Sequence, residues 1–238
     1  MNTILITGSN RGLGLGFVKA YLAKGDKVIA TCRNPQAAIE LQELAKSNPN
    51  LSILPLDVTS DESLQTLVST LAINKLEVLV NNVGVNSRSV NADASKTRKL
   101  KNIDRNIMLE MFNVNAVSPL MVTKYLLPLL EVGKGTIINI STQRASFNDP
   151  DPSEDPNYGY CSSKVALNMF TNELAKEITS LGIKTFAVHP GGVKTDMNAQ
   201  YGEIQPQTAA ENIIKIAENL TVDDSGKFFN FDGKLFPL

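Results

Sequence analysis

The chain has 238 residues, 42% of them hydrophobic and 20% charged, with a formal net charge of -1. That balance is ordinary for a globular protein, and the length suits a single domain over 1–238 with a sizeable core better than two small domains. The near-zero charge excludes a general electrostatic pull toward nucleic acid or an anionic membrane surface.

Taken in chain order, Ile4, Leu5 and Ile6 form a short apolar run ending at Thr7 and Gly8, which reads as a strand entering a turn. Residues 13–24 have helical periodicity, with Leu15, Val18 and Leu22 on one face, and stop at Gly25. A strand is predicted at 27–32, a helix at 37–47 and a strand at 51–56 running into Asp57. Ser60 is the expected N-cap of a helix reaching residue 71, with Asp61 and Glu62 in its first turn, where the helix dipole favours acids. A strand at 78–80 is followed by a polar connection to about residue 104 and a long helix to residue 130. Then come a strand at 136–140, a loop, a helix at 158–181 and a strand at 184–188. This alternation predicts an α/β fold, a single-domain doubly wound parallel sheet with helices on both faces, Rossmann-like in type. Ligands of such sheets bind beyond the carboxyl ends of the strands, so function is sought in the residues just after each strand.

Two cysteines, Cys32 and Cys161, are too few for a disulfide framework and lack metal-ligand spacing, so no metal is expected. Reduced thiols, the absence of a signal-peptide pattern at Met1-Asn2-Thr3-Ile4-Leu5, and an apolar stretch near 120–130 broken by Lys124 and Pro128 give the expectation of a cytoplasmic protein without a membrane partner.

The first strand exits into Thr7-Gly8-Ser9-Asn10-Arg11-Gly12-Leu13-Gly14. Glycines there let backbone approach a pyrophosphate, and the following helix aims its free N–H groups at it. The spacing G-x-x-x-G-x-G differs from the commoner G-x-G-x-x-G, and an ordinary tight turn is the alternative. The second strand ends at Thr31-Cys32-Arg33-Asn34-Pro35 with no acid to hold a ribose 2′-hydroxyl. Arg33, with Arg11 in the glycine turn, suits a 2′-phosphate instead, so NADPH (NADP+) is the expected cofactor; otherwise both arginines are solvated surface residues. Asp57 and Val58 follow the third strand, where a carboxylate can accept from an adenine amino group. Asn81, Asn82, Val83 and Gly84 follow the fourth: asparagines can tie the central sheet together, and Gly84 leaves room for cofactor.

Tyr160 and Lys164 are four apart on a predicted helix and share a face. An ammonium beside a phenol of ordinary pKa near ~10 stabilises phenolate and fits the phenol for proton transfer. Together with the glycine turn, this pair identifies a family. The chain resembles the short-chain dehydrogenase/reductases over nearly its full length. Residues 7–14 match the family's T-G-x-x-x-G-x-G turn, and Asn81-Asn82-Val83-Gly84 is similar to its N-N-A-G motif. Asn115 falls on its helix asparagine, Tyr160 and Lys164 on its Y-x-x-x-K pair, and Pro190, Gly191, Val193 and Thr195 on its P-G-x-V-x-T loop over the nicotinamide. Residues 224–234 are most similar to the sniffer-like or C-factor-like carbonyl reductases within it.

The resemblance implies reduction of a small-molecule ketone or aldehyde by hydride from NADPH. Tyr160 would donate the proton, Thr142 hold the carbonyl oxygen, Lys164 lower the tyrosine pKa and hold the nicotinamide ribose, and Asn115 position a water. Asn139-Ile140-Ser141-Thr142 departs from the family's N-I-S-S, leaving Thr142 in the catalytic place, with Ser141 and then Ser146 as alternatives. The resemblance also implies a homo-oligomer, dimer or tetramer. A cofactor-binding signalling protein of the C-factor type with little turnover is the competing reading, and sugar-nucleotide epimerase or dehydratase chemistry fits less well. Substrate contacts are expected from 86–102, 146–158 and 198–207. His189 reads as structural. The basic run Lys96, Arg98, Lys99, Lys101 and Arg105 reads as a solvated helix start.

Overall fold

The computed structural model describes residues 1–148, 155–198 and 202–238. Its strands are β1 (Thr3–Thr7), β2 (Lys27–Cys32), β3 (Leu51–Pro55), β4 (Val78–Asn81), β5 (Thr136–Ile140), β6 (Lys184–His189) and β7 (Phe228–Asn230). They form one sheet in the order β3-β2-β1-β4-β5-β6-β7, every pairing parallel. The order reverses between β1 and β4, and that switch point opens a crevice at the strands' carboxyl ends.

The strands are apolar on both faces because both are covered. In β1, Ile4 and Ile6 join one core with Phe17, Val18, Ile213 and Ile214. Leu5 points the other way, into a core with Leu64, Leu67, Val122 and Leu126. The first core lies beneath α1 (Gly12–Ala23), α2 (Ile39–Ser47) and α9 (Pro206–Asn219); the second lies beneath α3 (Asp61–Thr70), α7 (Ser118–Gly133) and the end of α8 (Tyr158–Ile178). Ser60 caps α3, its side chain accepting from Ser63 N–H, as its position at the end of the preceding loop implies.

The structure departs from the sequence reading at several elements. The helix expected from residue 37 starts at Ile39, because the Asn34 side chain caps a separate 3-10 turn, Pro35–Ala37. The polar connection holds two short helices, α4 (Ser87–Val90) and α5 (Ser95–Arg98). The long helix that follows is two helices, α6 (Arg105–Phe112) and α7, joined by a π turn at Asn113–Val117. Beyond β6 the structure adds α9 and β7, which the sequence reading did not contain. No helix among the described residues is long and apolar enough to cross a membrane.

Candidate active site

The exits of β1 and β4 are welded by side chains of the two motifs. Thr7 Oγ1 accepts from the N–H groups of Asn82 (3.0 Å) and Val83 (3.2 Å), and Asn82 Nδ2 donates to the carbonyls of Thr7 and Gly8, each at 3.0 Å. One residue earlier, Asn81 Nδ2 donates to Asn139 Oδ1 at 2.9 Å, tying β4 to β5 as its place at the strand end predicts. Asn139 in turn donates to Thr171 Oγ1 on α8 at 3.0 Å. This buried amide chain fixes the spacing of the central strands to the helix that carries Tyr160 and Lys164.

The glycine turn leaves open space at the start of α1. Gly12 has φ +55, and a Cβ on Gly14 would sit 2.2 Å from the Gly8 carbonyl oxygen, so neither position admits a side chain. Arg11 is the N-cap of α1 yet makes no side-chain cap bond, and the first turn holds no acid. The N–H groups of that turn and the positive end of the helix dipole are therefore available to a phosphate. Ser9 is fully buried; its hydroxyl donates to Ile6 O and accepts from Thr31 N–H, so it shapes the turn from behind. Asn10 is exposed on the turn, and Leu13 is buried at the start of α1.

At the end of β2, Arg33 is exposed and forms no ion pair among the described residues. Arg11 instead donates to Asp196 Oδ2 at 2.9 Å. After β3, Asp57 Oδ1 accepts from the Thr59 hydroxyl (2.7 Å) and N–H (2.9 Å), which holds its carboxyl below the usual range with help from the Arg33 charge. Val58 is buried beside it.

Across the switch point, Asn115 lies fully buried in the π turn. Its side chain clasps Val85 from both sides, accepting from Val85 N–H (2.8 Å) and donating to Val85 O (2.9 Å), and its amide also donates to Ser163 Oγ at 3.0 Å. Ser163 Oγ donates to Tyr160 O at 2.8 Å. Lys164 is buried, and its ammonium donates to Ile140 O at 2.8 Å. Desolvation pushes the Lys164 pKa down to about 8. A Cβ on Gly84 would approach Lys164 Nζ to 3.4 Å and Asn115 Oδ1 to 3.5 Å. The glycine keeps open the space in front of both groups. Tyr160 is half-buried in the first turn of α8, where Asn157 caps the helix and receives a hydrogen bond from Ser87.

Ser141 and Thr142 have different surroundings. The Ser141 hydroxyl donates to Asn168 Oδ1 at 2.7 Å inside the protein, whereas among the described residues Thr142 Oγ1 accepts a long bond, 3.4 Å, from Arg144 N–H. Ser146 accepts from Asn148 N–H. Pro190, Gly191 and Val193 begin the loop after β6, and Thr195 brings its γ-methyl to 3.1 Å from where a Gly12 Cβ would lie. His189 is half-buried between the rings of Phe231 and Phe236. In the basic run, Lys99, Lys101 and Arg105 are exposed, while Arg98 turns onto the segment before α8, donating to Pro156 O at 3.4 Å. Part of the expected substrate wall, including Asp149, Pro150, Asp151, Pro152 and Glu154, lies outside the described residues. Sequence reasoning missed Ser163, Asn168 and Asp196. The first sits beside Lys164 and the last beside Thr195, but only the tertiary contacts give them partners.

A doubly wound sheet with a glycine-rich turn at its switch point, across from Asn115, Lys164 and the helix that carries Tyr160, is the architecture of an α/β oxidoreductase. Residues 2–206 match the family described as short chain dehydrogenase. The chain belongs to that family. It is 30% identical over 254 residues to an uncharacterized oxidoreductase of Schizosaccharomyces pombe, covering 98% of this chain and 96% of the relative. Among solved structures it is similar to an NADPH-bound carbonyl reductase from chicken fatty liver (TM-score 0.91, 33% identity, 100% and 99% of the two chains covered). It is equally similar in identity, 33%, to the carbonyl reductase Sniffer of D. melanogaster, with a TM-score of 0.89 and full coverage of both chains.

Proposed function

We propose that the protein acts as one α/β unit that reduces a ketone or aldehyde with NADPH. The observation that carries this is the buried Lys164 ammonium, held on Ile140 O beside the space left by Gly84 and shared with Asn115. The bound cofactor supplies hydride to the carbonyl carbon. The turn formed by Gly8, Asn10, Arg11, Gly12, Leu13 and Gly14 holds the pyrophosphate by backbone N–H groups, Arg33 takes the 2′-phosphate, and Asp57 accepts from the adenine amino group. Val58, Asn82, Pro190, Gly191, Val193 and Thr195 line the remainder.

Tyr160 donates its proton to the carbonyl oxygen, and Thr142 donates a hydrogen bond that holds that oxygen in place. The Lys164 charge stabilises the phenolate left behind. Asn115 holds the β4 exit through Val85 and positions the water that returns a proton toward Lys164. Ser141, occupied with Asn168, is a scaffold for the strand end.

The test is fluorescence titration of NADPH and NADH with the wild type and Arg33→Ala, followed by a carbonyl screen. NADPH binding that weakens at least tenfold in the variant, with weak NADH binding throughout, supports the reading. Absence of binding by either cofactor refutes it.

A further inference from the structure

The two arginines assigned to the 2′-phosphate differ in one respect. Arg33 has no ion-pair partner among the described residues, whereas Arg11 is already engaged, its Nη1 2.9 Å from Asp196 Oδ2. Asp196 opens a short 3-10 turn, Asp196–Asn198, in the loop that begins at Pro190. The neighbouring Thr195 packs on Gly12, so the acid is delivered to the glycine turn by the same loop that approaches the cofactor cleft. Both partners are largely exposed, at 73% and 78% of their side-chain surface, and only one guanidinium nitrogen makes the pair.

We infer that Asp196 is a specificity-determining residue: it competes with the cofactor's 2′-phosphate for Arg11, so that the acid weakens the preference for NADPH and leaves Arg33 as the principal phosphate anchor. This rests on the NADPH reading above. A guanidinium that pairs with a carboxylate has to release it, or share, to receive a phosphate dianion. The dianion carries more charge and more acceptor oxygens, so it wins, but it gives back the free energy of the pair it displaces. An exposed single-pronged pair is weak, which sets the scale of the competition at a few-fold in affinity. The ribose 2′-hydroxyl of NADH makes no such demand on Arg11, so its affinity is insensitive to Asp196.

Adenosine 2′,5′-bisphosphate and 5′-AMP separate these effects. They differ by the 2′-phosphate alone, and neither carries the nicotinamide that the loop would cover. Their dissociation constants are measured for the wild type, Asp196→Asn, Arg11→Met and the double variant. Asp196→Asn is expected to tighten the bisphosphate about two- to fivefold and leave 5′-AMP unchanged, with the gain abolished in the Arg11→Met background. An unchanged bisphosphate affinity overturns the inference. An equal gain in the Arg11→Met background also overturns it, because the acid then acts by general repulsion. An equal gain for 5′-AMP assigns the effect to the loop and overturns it too. If the wild type binds both ligands alike and Arg33→Met changes nothing, the NADPH reading fails, and the role of Asp196 with it.

Discussion

Replacing Lys164 with methionine should stabilise the cofactor-free protein while abolishing its activity. The ammonium is buried, and desolvation lowers its pKa from 10.5 to about 8. The folded state therefore loses this proton before the unfolded state does. Below pH 8 both states are charged and the fold carries the full penalty. Between 8 and 10.5 the unfolded state binds more protons, so wild-type stability rises with pH. A difference of two and a half pKa units corresponds to about 3 kcal/mol at pH 7, falling to about 1.4 kcal/mol at pH 9.5. Methionine fills the same channel without charge but leaves Ile140 O without its donor, at a cost of about 1–2 kcal/mol. Lys164→Met should thus be more stable than the wild type by about 1–2 kcal/mol at pH 7, with the gain gone by pH 9.5. Urea denaturation of both proteins at the two pH values measures this. A variant less stable than the wild type by the same amount at both would refute the claim that the lysine is held against its own solvation. A residue that costs the fold stability in this way fits the catalytic role proposed for it.

Tyr160→Phe should lower carbonyl reduction by about 10²–10⁴-fold with cofactor affinity unchanged, read as kcat against Kd. A biological activity that survives this substitution would favour the signalling alternative. Thr142→Ala should lower kcat by about 10²-fold while Thr142→Ser retains most of it; Ser141→Ala should instead cost about 1–2 kcal/mol of stability and leave kcat near wild type. Gly14→Ala places a methyl 2.2 Å from Gly8 O and should abolish cofactor binding in titration, with the far-UV circular dichroism retained. Asn139→Ala removes the amide that joins Asn81 to Thr171, and a loss of about 2–3 kcal/mol in thermal or urea unfolding is expected.

The first six strands were legible because a sheet covered on both faces makes them continuous apolar runs, whereas the three-residue β7 is too short to carry that signal; the glycine turn was legible because its glycines meet backbone that no side chain could. The helix α9 carries a usable period, Ala209, Ala210, Ile213, Ile214 and Ala217, but its start has no side-chain cap. Its position depends instead on Gly16, where a Cβ would lie 2.4 Å from Pro206 O, so that α1 and α9 pack closely. The π turn has no local signature either. Asn115 is held by Val85, thirty residues away, and that clasp stabilises an extra residue in a helix whose periodicity otherwise reads as unbroken.

The choice between Ser141 and Thr142 shows where sequence information ends and packing decides. Side chains alternate along an extended chain, so one of the pair must face α8 and the other must not. The motif does not say which. Asn139 meets Thr171 on α8, and Ser141, two residues on, has the same parity and meets Asn168, nearly one turn earlier on that helix. Thr142 has the opposite parity and, among the described residues, its side chain accepts the long bond from Arg144 N–H. A register shift of one residue in β5 would exchange the two hydroxyls and also break the Asn81–Asn139 bond. The amide chain that holds the central sheet therefore also selects which hydroxyl turns away from α8; if that hydroxyl is the one that holds substrate, as proposed, Asn139→Ala should lower kcat along with stability.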